Sequence, residues 1–268
     1  MPFRALSPSQ TCRLIINEGT ELFYVMPFLK CLSVRCPDDE FPFSVPSIRS
    51  LEGGMKLHPK VTFLVGENGM GKSTLLEGIA DKWGFSEESG NRAKSPNVRD
   101  YDTRLAPAMT LPRSPGMRPM DGFFLRAESF FNFATEMDEL EKDPYCANGY
   151  FSYGGKSLHE QSHGESFFSL FLHRLDGHGL YLLDEPEAAL SATRQMAFLV
   201  RLHDLVEDFS QFIIATHSPI ILAYPEATIY QFSEDGIEEV SYRESQAYEV
   251  THRFLKDPEG MVKRLLED

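Results

Sequence analysis

Gly66-Glu67-Asn68-Gly69-Met70-Gly71-Lys72-Ser73-Thr74 is the stretch around which the chain is organised. It has the form Gly-x-x-x-x-Gly-Lys-Ser, the Walker A or P-loop pattern. Its flanks suit that pattern. Before it, Val61-Thr62-Phe63-Leu64-Val65 is a short run of β-branched, aromatic and apolar residues, as in a strand. After it, Leu75, Leu76, Ile79 and Trp83 recur at helical spacing. Strand, glycine-rich turn and helix start form the geometry in which backbone N–H groups and the helix dipole meet a polyphosphate. There Lys72 reaches the β and γ phosphates and the Ser73 hydroxyl coordinates Mg²⁺, with Gly66, Asn68, Gly69, Gly71 and Thr74 completing the cradle. A nucleotide-binding site is the expectation.

The whole chain bounds the rest. Its 268 residues suffice for one large core carrying an inserted subdomain. Hydrophobic content of 42% and charged content of 25% are ordinary for a globular protein. No apolar stretch approaches the roughly 20 residues of a membrane span, and no basic-then-apolar leader opens the chain. Cytoplasmic residence and no membrane association are expected. The four cysteines (Cys12, Cys31, Cys36, Cys146) include no Cys-x-x-Cys pair and read as reduced thiols. A net charge of −14 disfavours broad attraction to nucleic acid or anionic lipid.

Upstream of the loop, Phe28 to Val34 reads as a strand and Pro37-Asp38-Asp39 as a turn. Residues 86 to 119 carry prolines at 96, 107, 112, 115 and 119 and lose periodicity, so they read as loop. Between 91 and 119 six basic residues (Arg92, Lys94, Arg99, Arg104, Arg113, Arg118) stand against Asp100 and Asp102. A solvated loop is the favoured reading of that segment, and contact with a nucleic-acid backbone or a partner protein is the sharper one. Gly122 to Arg126, Leu180 to Leu183 and Phe212 to Ala215 read as strands, the latter two buried on both faces. Helices are expected over Glu128 to Leu140, Ser166 to Leu175 and Thr193 to Val206, with two short ones closing the chain. Ala227 to Phe232 and Ile237 to Ser241 read as a hairpin across Glu234-Asp235-Gly236. Strand and helix alternation around a P-loop predicts an α/β fold with a mostly parallel sheet, an antiparallel β-rich edge and a small helical subdomain.

Three further motifs bear on chemistry. Leu180 to Leu183 delivers Asp184-Glu185-Pro186, the Walker B arrangement, in which Asp184 holds hydrated Mg²⁺ and Glu185 polarises the attacking water. Ala215-Thr216-His217-Ser218-Pro219 follows the next strand, where His217 faces the crevice at the carboxyl ends of parallel strands and meets the γ-phosphate. Gln161-Ser162-His163-Gly164-Glu165-Ser166 opens an apolar helix and offers a second anion cradle.

In order and spacing these residues resemble the ABC-type ATPase superfamily, over about Phe28 to Phe232. Gly66 to Thr74 matches Walker A, Ser162 to Ser166 the signature loop, Leu180 to Glu185 Walker B, and His217 the switch histidine. In style the chain is similar to RecF/SMC-like stand-alone bacterial AAA/ABC ATPases, but only 89 residues separate Lys72 from Ser162 and they lack heptads, so no long coiled coil fits. The resemblance implies one ATPase domain over 1–268, with 85–178 inserted and carrying the signature. It also implies an ATP-dependent head-to-tail dimer, in which Ser162, Gly164 and Glu165 of one copy cap the ATP of the other. Ser191 stands where the family's D-loop has Asp, and Glu128 is the candidate for the metal-facing Q-loop residue. The implied role is a switch or motor in DNA repair, genome maintenance or phage defence.

Two rival readings remain. One is the ATP-binding subunit of a membrane transporter. The other is a zinc metallopeptidase, because His159-Glu160-Gln161-Ser162-His163 fits His-Glu-x-x-His, with Glu185 as an imagined third ligand. That pattern needs one continuous helix, whereas Gly154-Gly155 precedes it and Gly164 follows, which suits a loop entering a helix.

Overall fold

The computed structural model describes residues 27–85, 104–126 and 163–267, with the backbone alone for 163–167. At its centre lies β3 (Val61–Gly66), every residue of which is buried. It belongs to a six-stranded sheet with β5 (Asp121–Arg126), β6 (Gly179–Asp184), β7 (Gln211–Ala215), β8 (Ala227–Ser233) and β9 (Gly236–Val240). The order is β5-β6-β7-β3-β8-β9. All neighbours run parallel except β9, which turns back antiparallel on β8 across the expected hairpin. A second, antiparallel sheet has the order β2-β1-β4, from β1 (Cys31–Val34), β2 (Met55–Lys56) and β4 (Met109–Thr110). The α/β class, the mostly parallel sheet and the antiparallel part are as the sequence predicts.

Why the central strands lack a polar face is plain from their two sides. Phe63, Tyr181, Leu183, Phe212 and Ile214 join one core cluster, together with Phe198 and Leu202 of α5 (Ala192–Glu207). Their alternates Leu64, Leu180, Leu182 and Ile213 join the other, with Leu75, Leu76, Ile79 and Trp83 of α2 (Lys72–Trp83). Period-two alternation therefore feeds two cores, and truncation of a fully buried ring such as Phe63 to Ala would cost about 3–5 kcal/mol. The buried amide of Gln211 ties the small sheet's approach to the large one. It accepts from Leu29 N–H at 2.9 Å and donates to the carbonyls of Leu29 at 2.8 Å and His58 at 2.9 Å.

From residue 104 onward the proline-rich segment differs from the expected loop. Residues Leu105–Ala108 form a short helix, α3, that leads into β4. Gly78 of α2 makes this docking fit: a Cβ there would lie 2.7 Å from Leu105 Cδ2. Two of the basic residues serve inside the fold. Arg104 pairs with Asp38 at 2.5 Å and Glu40 at 3.1 Å, and Arg113 lies over the Trp83 ring, 4.2 Å from its centroid. Arg92, Lys94 and Arg99 lie outside the described residues, as does the Glu128 to Leu140 stretch.

The helix expected over Ser166 to Leu175 is α4 (His163–His173). It starts three residues earlier than the periodicity predicts, so Gly164 and Glu165 belong to its first turn and not to a loop. Phe171 of α4 packs edge-to-face on Phe198 of α5, centroids 4.8 Å apart. The chain closes with α6 (Gln246–Lys256) and α7 (Pro258–Glu267), the two expected short helices. The short helix α1 (Pro46–Ser50) lies beside β9 and the phosphate loop. No described helix is long and apolar enough to cross a membrane.

Candidate nucleotide site

Gly66, Asp184 and Ala215 end three adjacent parallel strands, so the residues after them meet in one crevice. Ala215 sits level with Leu64 on one side and Asp184 on the other. Backbone bonds carry the alignment beyond the strands, from Glu185 N–H to Ala215 O at 2.9 Å and from Thr216 N–H to Leu64 O at 3.1 Å.

The loop owes its course to glycine. Gly66, Gly69 and Gly71 have φ of +139°, +81° and +90°, and a Cβ on Gly66 would meet the Phe232 carbonyl oxygen at 2.3 Å. Such a conformation and approach exclude side chains. The buried Ser47 of α1 donates to Met70 O at 2.8 Å and to Ser233 O at 3.2 Å, pinning the loop from outside. Gly71 is the N-cap of α2 and brings no side-chain cap, so the first N–H groups of that helix remain open to an anion. Asn68 and Gly69 are exposed at the tip of the loop, and Thr74 lies half-buried in the first turn of α2.

Lys72 and Ser73 turn inward from that turn. Lys72 is 4% exposed and donates to Gly66 O at 2.7 Å and Glu67 O at 2.9 Å. Burial pulls its pKa below the usual lysine range, against the pull of Glu185, Asp184 and Glu187. Ser73 Oγ donates to Asp184 Oδ1 at 3.1 Å across 111 positions of sequence. Asp184 is 6% exposed, and burial pushes its carboxyl up to about 6, while Ser73 and Arg126 pull the other way.

Across the crevice, His217 Nε2 stands 3.5 Å from Glu185 Oε1. Glu185 takes a left-handed φ of +50°, uncommon for a side chain of its size, at the turn into the 3₁₀ helix Pro186–Ala189. Both side chains are about two-fifths exposed, at 39% and 41%, and so face the open crevice. The expected residues Gly66, Lys72, Ser73, Asp184, Glu185 and His217 therefore lie together. Ser162 and Glu128 lie outside the described residues, as do His159 and Glu160 of the alternative zinc pattern. Gly164 and Glu165 are placed by backbone only. Ser191 is the N-cap of α5, accepting from Arg194 N–H at 3.4 Å. Among the described residues no group of three or more His, Cys, Asp and Glu is placed to hold a metal.

Three participants escape sequence reading. Arg126 ends β5 level with Asp184, its Nε 3.8 Å from Asp184 Oδ2 and its Nη1 2.6 Å from Glu77 Oε1, one turn beyond Ser73. Glu187 accepts from the backbone N–H of His217 at 2.5 Å. Gln246 donates to Glu67 Oε1 at 2.9 Å. Their partners lie on other elements, so only sheet order could have revealed them.

Fold and loop together define a P-loop NTPase core. No protein-family model matches the chain, and no curated protein matches it. Solved structures are similar in fold. The SMC head domain from Thermotoga maritima is 18% identical, with 81% of this chain and 99% of that one covered and a TM-score of 0.40. The SMC head bound to the C-winged helix domain of ScpA is 14% identical, with 84% and 100% covered and a TM-score of 0.46. The cbiO1 protein from Clostridium perfringens, part of an ABC transporter complex, is 17% identical, with 80% and 90% covered and a TM-score of 0.40.

Proposed function

We propose that the chain is an ATPase of the ABC type, binding ATP with Mg²⁺ and hydrolysing it in a dimer. The observation that carries this reading is the bond from Ser73 Oγ to Asp184 Oδ1, with the buried Lys72 ammonium on the same loop. A helix start without a side-chain cap, a buried lysine and a serine–carboxylate pair together match a polyphosphate and its cation better than any neutral ligand.

The donor set suits Mg²⁺: a hydroxyl and a carboxylate are hard oxygen ligands, which this ion takes in small number beside substrate phosphates. Ser73 and Asp184 would hold it, and it would supply charge neutralisation on the phosphate oxygens. The loop N–H groups and Lys72 bind the phosphates, Lys72 exchanging the carbonyls of Gly66 and Glu67 for phosphate oxygens. Glu185 orients the attacking water and takes its proton. His217 steadies Glu185 and donates to charge gathering on the γ-phosphate.

The other half of the site is proposed to come from a second copy, from Ser162, which precedes α4 in sequence, and from Gly164 and Glu165 in its first turn. Glu128 remains the proposed metal-facing residue beyond β5. The inserted subdomain at 85–178 and a switch or motor task in genome maintenance or defence complete the reading. Its support is the motif set with only 89 residues between Lys72 and Ser162. Phosphate release by the purified chain with ATP and Mg²⁺ tests it. Release abolished in Lys72→Ala supports the reading, and equal release by both proteins would refute it.

A further inference from the structure

The phosphate loop is tied to the C-terminal helix pair through one amide. Gln246 is the first residue of α6, held there by Ser245, which caps the helix by accepting from Tyr248 N–H at 3.4 Å. Its backbone N–H donates to Gln231 Oε1 of β8 at 3.2 Å, and its side-chain Oε1 accepts from Gln231 Nε2 at 3.4 Å. Its side-chain Nε2 donates to Glu67 Oε1 at 2.9 Å. Glu67 is thus held at both ends, because its carbonyl accepts from Lys72 Nζ at 2.9 Å.

A cleft of about 280 Å³ opens beside this contact, lined by Gly66, Glu67, His217, Gln246, Val250 and Thr251. One wall is the first turns of α6, and the opposite wall is the loop and the histidine that faces Glu185. Beyond that wall the helix pair is lightly held. Neither α6 nor α7 buries a single residue completely, and Val250, Leu255, Leu265 and Leu266 stand 54%, 69%, 69% and 81% exposed. Elements with so few buried contacts open at low free energy and respond to small changes at their anchor.

The geometry points to Gln246 as a positioning residue that ties Glu67 of the loop to α6 and through which α6 and α7 read occupancy of the loop. This rests on the reading that the loop binds a polyphosphate. Polyphosphate oxygens draw Lys72 away from the Glu67 carbonyl. The same anion repels the Glu67 carboxylate, which is exposed at the loop and carries like charge. Both effects strain or break the Glu67–Gln246 bond, and with it the anchor of α6 shifts. The helix pair is then an output element whose packing differs between the empty and the filled site.

Amide hydrogen exchange of the full chain tests this, with saturating ATP and Mg²⁺ in the slowly hydrolysing Glu185→Gln background and saturation verified by a binding isotherm for each protein. In that background, nucleotide is expected to change exchange across residues 246–256 by threefold or more. Adding Gln246→Ala, or Gln246→Glu with its like charge against Glu67, is expected to remove that response and leave the protection of the loop itself. Adding Glu67→Gln, which keeps an acceptor for Gln246, is expected to retain a response at reduced size, because the charge repulsion is gone. An α6 response of equal size with and without Gln246 would overturn the coupling while leaving nucleotide binding intact. No response at α6 in the Glu185→Gln background, with ATP demonstrably bound, would overturn it as well. Failure to bind ATP at all would instead remove the phosphate-loop reading, and the coupling with it.

Discussion

The backbone N–H of His217 donates to Glu187 Oε1 at 2.5 Å, while His217 Nε2 faces Glu185 Oε1 at 3.5 Å. Two acids of one turn thus hold the two ends of one histidine. Burial raises the Glu187 carboxyl above its ordinary range, while hydrogen bonds from the His217 backbone N–H and the Thr216 side chain pull the other way. Burying such a group is costly, and its bond to His217 is part of the compensation. Glu187→Gln keeps an acceptor for that N–H, whereas Glu187→Ala leaves the N–H without one. Loss of such a bond costs about 1–3 kcal/mol. The expected result for Glu187→Ala is kcat down about 5- to 100-fold with KM for ATP little changed, and near recovery in Glu187→Gln. An equal loss in both variants would show that charge, and not positioning, is what Glu187 provides.

Asp184 sets stability against function. Its carboxyl is raised by burial from 3.8 to about 6. Between those values the folded chain binds more protons than the unfolded one, so stability falls as pH rises through that window and is level above it. The gap corresponds to about 3 kcal/mol at most. Asp184→Asn removes the buried charge and retains an acceptor for Ser73. Thermal melting without added metal is expected to show the variant about 1–3 kcal/mol more stable at pH 7.5, converging with the parent near pH 4. Its ATP hydrolysis is expected to be lost. A variant that melts lower at pH 7.5 would mean that Arg126 and Ser73 already outweigh the burial.

The loop's backbone makes a sharper distinction between two glycines. An alanine Cβ at Gly66 would stand 2.3 Å from the Phe232 carbonyl oxygen at a φ of +139°, whereas at Gly69, with a φ of +81°, it would meet nothing within 4 Å. Gly69→Ala therefore carries backbone strain alone, about 1 kcal/mol. Gly66→Ala adds a collision between two strands and is expected to cost at least about 3 kcal/mol. Chemical denaturation of both variants, compared by midpoint, checks the order. Equal midpoints would mean that β8 yields to the intruding methyl.

What was legible followed from how locally each feature is written. Leu180 to Leu183 and Phe212 to Ala215 read as doubly buried strands because both alternating faces are apolar. Gly66 to Thr74 read as a loop because glycine and lysine positions are fixed by the turn itself. Residues 105–110 were hidden because prolines mask a short helix whose stability comes from Leu105 settling against Gly78. Arg126, Glu187 and Gln246 were hidden for a different reason. Arg126 matters because β5 lies beside β6, and Gln246 because α6 starts against Gln231 of β8. Neither adjacency is written in the residues that depend on it.

Glu185 carries the most direct test of the two-copy site. If it accepts the proton of the attacking water, Glu185→Gln slows hydrolysis by about 10²- to 10⁴-fold. Binding is expected to survive, because Lys72, Ser73 and Asp184 are untouched. Slow turnover should then hold the nucleotide-bound pair together. Light scattering during size-exclusion chromatography with ATP and Mg²⁺ is expected to give twice the 30.4 kDa chain mass for Glu185→Gln. Without nucleotide, or with Lys72→Ala added, the single-chain mass is expected. A Glu185→Gln protein that binds ATP and still elutes at the single-chain mass would sink the shared-site mechanism, and the residues before α4 would need another role.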